Sequence, residues 1–224
     1  MANWLLSTLS VGNMLDENVG LQSRILLESI PSGGIYLRRI IKAMRQSCKI
    51  MITYQKYSAA TTKTYLAAPY CVKLFKRRWY VLTKVERSEQ KEASMAVFSL
   101  DRIVDVKVLQ DKFTLETNFD AEEYFAQNFG IMVDTNIPPE RIVLRAYGME
   151  KYYLRDLPLH SSQHEVNTTD QYADFEIILR PTSDFKAHLL SRGEWLQVIK
   201  PEWLANDIEN WLENAIQKYK TRKE

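Results

Sequence analysis

The chain is poor in cysteine, glycine and proline: two, seven and seven in 224 residues. Cys48 and Cys71 stand far apart with no Cys-x-x-Cys, so neither a disulfide framework nor a thiolate metal site is expected, and both thiols read as small core residues. So little glycine and proline, with 26% charged and 46% hydrophobic residues, argues for a folded protein with one large core or two modest ones. No apolar run reaches the roughly 18 residues of a membrane span. The start, Met1-Ala2-Asn3-Trp4-Leu5-Leu6, lacks the basic region and cleavage site of a signal peptide, which makes the cytoplasm the expected compartment. A net charge of only +2 gives no global basic character to point to a nucleic-acid partner.

Catalytic and metal motifs are equally scarce. Gly33-Gly34 belongs to no phosphate-binding loop, Ser161 and Ser162 lie in no Gly-x-Ser-x-Gly elbow, and no pair of carboxylates has an acid-and-base context. His160-x-x-x-His164 has the spacing of a zinc half-site, but neither thiol is near in sequence and Ser161-Ser162-Gln163 reads as a loop entering a strand. The expectation is a protein that is not an enzyme and holds neither cofactor nor metal.

What is present is organised by period. Residues 3–15 place Leu5, Leu6, Leu9 and Met14 at helical spacing, and after the Pro31-Ser32-Gly33-Gly34 break Leu37, Ile40, Ile41 and Met44 form one helical stripe. Residues 1–46 thus read as a helical connector. From Cys48 the period falls to two, with Ile50, Ile52 and Tyr54 on one face and Lys49, Met51 and Thr53 on the other. Further strands are expected at 65–69, at Val72 and Leu74, at 79–82, at 95–100 and through Val104, Val106 and Val108. Five or six short strands in about 60 residues suit a small, bent antiparallel sheet or barrel.

A helix over 120–129, capped by Asp120 and ended by Gly130, and a linker at 134–139 come next. Beyond it the expected order is strand 142–147, helix 149–157, strand 165–167, strand 175–180, helix 183–191 capped by Thr182, and strand 196–199: βαββαβ, a ferredoxin-like pattern. A last helix from Pro201 to Tyr219 carries Leu204, Ile208, Trp211, Leu212, Ala215, Ile216 and Tyr219 in one stripe.

Two blocks carry the chemistry. Lys73, Lys76, Arg77 and Arg78 interleave with Phe75, Trp79 and Tyr80, the ingredients of a nucleotide or single-strand platform. An aromatic with a hydroxyl tip beside a guanidinium suits a planar anion, and facing strands would bring Tyr80 and Arg102 into one sheet. The blocks Arg78-Trp79-Tyr80-Val81 and Phe98-x-Leu100-Asp101-Arg102-Ile103, with Ile50-x-Ile52-x-Tyr54 and Pro69-Tyr70 upstream, resemble the WYL domain of bacterial transcriptional regulators. Residues 125–219 are similar to the C-terminal extension that follows that domain, so the resemblance covers roughly residues 47–219.

The resemblance implies an α+β chain: a connector (1–46), an Sm-like antiparallel β-barrel (47–118), a helical linker (119–139) and the ferredoxin-like extension with its C-terminal helix (140–224). It implies a ligand-sensing and dimerisation module that binds a nucleotide or short single-stranded nucleic acid through Tyr80 and Arg102, with Tyr54 matching a further aromatic of the pattern; Arg78, beside them in the basic block, is added as a candidate. Direct nucleic-acid binding without sensing is the alternative. Such regulators contact DNA through a winged helix-turn-helix, for which residues 1–46 are too short. A homodimer is expected, because the connector and the last helix present apolar stripes. Two positions depart from the family pattern: Ala96 where an Arg is usual, which removes one guanidinium, and Val81 where Leu is usual.

Overall fold

The computed structural model describes residues 33–86 and 93–223. The expected elements before residue 33 and the tip of the loop after Val85 lie outside them.

Helix α1 (Gly34–Arg45) begins where Gly33, at φ 122°, turns the chain against the Leu100 backbone. A Cβ there would stand 2.7 Å from the Leu100 carbonyl carbon, so only glycine fits. The helix buries Ile40 and Ala43, while Leu37 and Met44 pack at the margin. Ile41, expected in the stripe, is 47% exposed. It is Ala43, three positions after Ile40, that completes the buried face.

Five antiparallel strands follow: β1 (Cys48–Tyr54), β2 (Lys63–Phe75), β3 (Arg78–Val85), β4 (Ser94–Ser99) and β5 (Ile103–Lys112), in the order β4-β3-β2-β1-β5. Ile52 stands opposite Tyr65 on one side and Val106 on the other, so its face meets α1 in a core of Ile40, Ala43, Ile50, Ile52, Val81, Phe98 and Val106. The two strands expected on either side of Pro69 are one strand of 13 residues. Proline has no N–H for the ladder, and the register shifts between Pro69 and Cys71 as a bulge absorbs it. Residues Ala67 to Tyr70 are buried in unbroken succession. One face of β2 looks into the core, and Tyr70 on the other meets Phe113 and Phe119.

The β2–β3 hairpin turns on two residues, Lys76 (φ 45°) and Arg77 (φ 63°), between the paired Phe75 and Arg78. Both central residues at positive φ mark a type I′ turn, for which Asn-Gly is the favoured pair. A side chain in that region costs about 1–2 kcal/mol. Arg77→Gly is therefore expected to raise stability by about 1 kcal/mol, less what the arginine side chain contributes. Urea denaturation checks it: an unchanged or lower midpoint would mean that the side chain's contacts outweigh the strain.

The chain then crosses to a second sheet through α2 (Ala121–Phe125), where the Glu123 N–H donates to Asp120 Oδ1 at 2.8 Å. The helix ends four residues earlier than expected. Asn128 is drawn into a bridge with Arg180, whose N–H donates to Gln127 O at 2.8 Å. Strands β6 (Glu140–Tyr147), β7 (His164–Thr168), β8 (Tyr172–Leu179) and β9 (Leu196–Lys200) form an antiparallel sheet ordered β7-β8-β6-β9. Helices α3 (Glu150–Asp156) and α4 (Ser183–Ser191) complete βαββαβ. Inward residues stand opposite one another: Ile142 and Ile177, Leu144 and Phe175, Ala146 and Ala173. Leu154, Phe185, Leu189 and Leu204 cover them.

Thr182 holds the N-cap position of α4 in extended conformation, but its hydroxyl makes no capping bond, contrary to expectation. The carboxylate of Asp184 is turned instead to the Ile131 and Met132 N–H groups, at 3.0 and 2.9 Å, and ties α4 to the linker. Helix α5 (Glu202–Lys220) buries Leu204 and packs Ala205 and Ile208 on the same core. Its second half leaves the body, with Trp211, Leu212, Ile216 and Tyr219 all exposed. Among the described residues no helix is long and apolar enough to cross a membrane.

Candidate functional site

Strand β1 ends at Tyr54, whose ring is buried edge-on to Phe98 with centroids 5.0 Å apart. Its hydroxyl accepts the Ser99 N–H at 3.4 Å, and burial pushes its pKa up. Arg102 is not on a strand, as alternation suggested, but in a single 3-10 turn, Leu100–Arg102, between β4 and β5. Asp101 explains the turn: the Ser99 hydroxyl donates to its carboxylate and bends the chain out of the ladder. Arg102 O accepts the Gln55 N–H at 3.1 Å, which fixes the turn to the end of β1.

This geometry sets the Arg102 guanidinium between two rings, 4.5 Å from the Tyr57 centroid and 5.0 Å from that of Tyr54. Among the described residues its Nε is buried without a hydrogen-bond acceptor, and no carboxylate pairs with the guanidinium. A guanidinium that no carboxylate neutralises favours an anionic acceptor supplied from outside.

Both Tyr54 and Arg102 line an open cleft of about 870 Å³, together with Tyr57, Lys63, Tyr65 and Phe98. Lys63 Nζ stands 5.4 Å over the Tyr65 ring. Ala96 lies on the same wall, so the residue that departs from the family pattern faces the cleft. Tyr57, Lys63 and Tyr65 carried no local signal; the β1–β2 connection and the register Ile52 to Tyr65 bring them to the site.

Arg78 and Tyr80 do not line that cleft. Arg78 Nη2 lies 3.6 Å from Asp101, and the neighbouring Tyr57 hydroxyl, with Asp101, pushes its pKa further up. Tyr80 stands opposite Ser99, and burial raises its pKa. Of the four residues expected to form one site, Tyr54 and Arg102 line the cleft, while Arg78 pairs with Asp101 of the turn and meets the Tyr57 hydroxyl, and Tyr80 stands on β3 opposite Ser99.

The other basic residues of the hairpin are engaged within the fold. Lys73 Nζ donates to Gly130 O at 2.8 Å and lies 4.0 Å over the Phe125 ring; burial lowers its pKa. Lys76 lies 5.5 and 5.8 Å over the Phe75 and Phe129 rings. Trp79 packs half-buried against the first core. Cys48 is buried, and burial pushes the Cys71 thiol up to about 11. His160 is held through both ring nitrogens, by Ser162 Oγ at 2.8 Å and Ala126 O at 2.6 Å, while His164 Nε2 lies 3.5 Å from Glu176. Among the described residues no cluster of three His, Cys, Asp or Glu could hold a metal ion.

Residues 36–108 match the model of the WYL domain. Among solved structures the chain is similar to a CRISPR Cas-related protein, at a TM-score of 0.50 and 14% identity over 85% of this chain and 52% of that one. It also aligns with proteasome accessory factor B/C of Arthrobacter aurescens, at a TM-score of 0.35 and 13% identity over 87% of this chain and 28% of that one. The chain spans about half of the first and under a third of the second. No curated protein sequence matches it.

Proposed function

Because residues 36–108 of this chain are a WYL domain, we propose that it is the ligand-binding regulatory module of a transcriptional regulator. It takes a nucleotide or a short single-stranded nucleic acid, with residues 47–118 as the binding unit and 140–224 as the extension that reads its state. DNA contact falls to a helix-turn-helix carried elsewhere in such a regulator, in the cytoplasm. The observation that carries this reading is the Arg102 guanidinium, which lies between the Tyr54 and Tyr57 rings in a cleft and is paired with no carboxylate among the described residues. The exposed Tyr57 ring offers a base a stacking face, while the guanidinium takes a phosphate in two parallel hydrogen bonds, which Lys cannot copy. Direct nucleic-acid binding along the basic hairpin fits less well, because Lys73, Lys76 and Arg78 already serve carbonyls, rings and Asp101.

Calorimetric titration with nucleoside monophosphates and short single-stranded oligonucleotides tests the proposal. Arg102→Ala is expected to lose about 1.5–3 kcal/mol of binding, the scale of a hydrogen bond to a charged group, while the surface control Lys220→Ala binds as the parent does. Ala96→Arg adds a further guanidinium to the cleft lining and is expected to tighten binding. A parent that binds none of these ligands, or an Arg102→Ala protein that stays folded and binds equally well, would sink the reading.

The module is also proposed to be a homodimer, supported by the exposed stripe Trp211, Leu212, Ile216 and Tyr219 on α5. Light scattering is expected to give twice 26.2 kDa at micromolar concentration; a monomer mass throughout would exclude it.

A further inference from the structure

Charge in this chain is segregated in a way that its net value hides. Residues 29–85 hold twelve Lys and Arg and neither Asp nor Glu, although the whole chain stands at only +2. The fold engages most of these cations. Lys49, Lys84 and Arg78 reach carboxylates of later segments at 2.5, 2.7 and 3.6 Å, and Arg39 lies 3.5 Å from Asp105. Lys73 and Lys76 serve a carbonyl and aromatic rings, and Arg77 is engaged as well. Lys56 and Lys63 line the cleft. Arg38, Lys42 and Arg45 are left. All three are exposed on α1, and among the described residues no side chain pairs with them. Their spacing, i, i+4 and i+7, sets them in one stripe opposite the buried Ile40 and Ala43. The helix carries no acidic residue. Its macrodipole accounts for Lys42 and Arg45 in the last turn but not for Arg38, and like charges at i and i+4 repel. Helix stability therefore does not call for the stripe; an anion laid along it does.

We propose that this face of α1 binds the phosphate backbone of duplex DNA without reading its sequence. Arg38 to Arg45 covers about 10 Å of helix axis, and one strand of B-DNA passes about three phosphates in that length. The stripe holds no aromatic residue on which an unpaired base could stack, and Tyr36 on the same helix is turned to Val104 O at 2.5 Å, which disfavours a single strand. A lipid surface would take an apolar face beside the cations. That face of α1 is packed in the first core, and on the rest of the helix Ile35 and Ile41 are the exposed large apolar residues. In the regulator proposed above, the helix-turn-helix reads the sequence and α1 adds a contact that any flanking duplex offers. The inference takes its setting from that reading, while its test is independent of the cleft.

Fluorescence anisotropy of a labelled, mixed-sequence duplex of about 20 base pairs, titrated with the whole chain, tests the proposal. Three phosphate contacts predict a slope of log K against log salt near about −2.7, so binding weakens about 500-fold between roughly 20 and 200 mM salt. Arg38→Gln, Lys42→Gln and Arg45→Gln together are expected to weaken binding by more than about tenfold at the lower salt and to flatten the slope. Lys42→Gln alone is expected to reduce the slope by about 0.9, and it decides the matter if circular dichroism shows the triple variant unfolded. Lys218→Gln, Lys220→Gln and Arg222→Gln together remove the same charge at the end of α5 and are expected to leave the slope unchanged. Arg102→Ala, which loses nucleotides if the cleft reading holds, is expected to keep the duplex. A parent that binds no duplex at the lower salt would overturn the proposal. An equal loss in the α5 variant would do so too, since it would report net charge alone. Loss in Arg102→Ala would move the duplex to the cleft. Sedimentation with phosphatidylserine vesicles that depends on the α1 cations, with the duplex unbound, would make the stripe a membrane contact instead.

Discussion

Arg192→Met is expected to destabilise the protein by about 3–5 kcal/mol, the cost of leaving a buried carboxylate without its partner. Glu150 opens α3 and is only 4% exposed. Arg192, at the C-cap of α4, meets it with two parallel hydrogen bonds, Nε to Oε1 at 2.7 Å and Nη2 to Oε2. The bond to Glu150 is the main reason the Arg192 pKa is pushed up. Methionine keeps most of the stem's packing and removes the charge, so the variant isolates the stranded carboxylate from lost contact area. The double variant Glu150→Met with Arg192→Met is expected to recover most of the loss, because two apolar side chains of similar volume avoid the desolvation altogether. Urea denaturation of parent, single and double variants measures the cycle. A loss below about 1 kcal/mol in the single variant would mean that Glu150 finds water on relaxation, and a double variant no better than the single would mean that the pair holds α3 to α4 by shape.

Much of the architecture follows from periodicity that no tertiary contact had to override. Alternation gives Ile50, Ile52 and Tyr54 their common face, and the βαββαβ order follows from six short segments in sequence. Residues 183–191 form a helix where a stop after Arg180-Pro181 and Gly193 bracket them. The failures share a cause, in that something distant decides the outcome. Pro69 reads locally as a strand end, yet pairing with β3 on both sides of the bulge carries β2 through it. The helix expected to reach Phe129 stops at Phe125, because Gln127 and Asn128 are recruited by Arg180, more than 50 residues away. Arg102 follows an alternating block and reads as strand, but Ser99 and Asp101 curl it into a turn. That turn moves the guanidinium from the sheet to the lip of the cleft, next to Tyr57, which no local pattern marked. The departure at Ala96 was legible as a missing charge; its place on the cleft wall was not.

Phe185→Ala is expected to cost about 3–5 kcal/mol, and the position of the ring decides where the damage spreads. Phe185 is fully buried in the second core on α4. Its ring meets Phe129 edge-on with centroids 5.7 Å apart, Phe129 in turn meets Phe75 at 5.9 Å, and Lys76 lies over the Phe129 and Phe75 rings. Phe75 and Arg78 flank the strained two-residue turn. A contiguous row of aromatic contacts therefore runs from the extension to the hairpin, whose Arg78 pairs with Asp101 of the Arg102 turn. Gly130 keeps the row tight: a Cβ there would lie 2.6 Å from Asp184 Oδ2 and 2.8 Å from the Phe75 ring. Removing the Phe185 ring leaves a void that Phe129 is free to enter, which draws it away from Phe75. Hydrogen exchange is then expected to quicken in α4 and also at the amides of residues 74–79, beyond what the fall in global stability produces. Phe185→Leu, which fills most of the void, is expected to cost less than half as much and to leave the hairpin amides protected. Faster exchange confined to residues 183–191 would show that the second core repacks alone and that the aromatic row does not couple the hairpin to it. Equal quickening at every amide would report only the lower global stability, and the row would again carry no coupling.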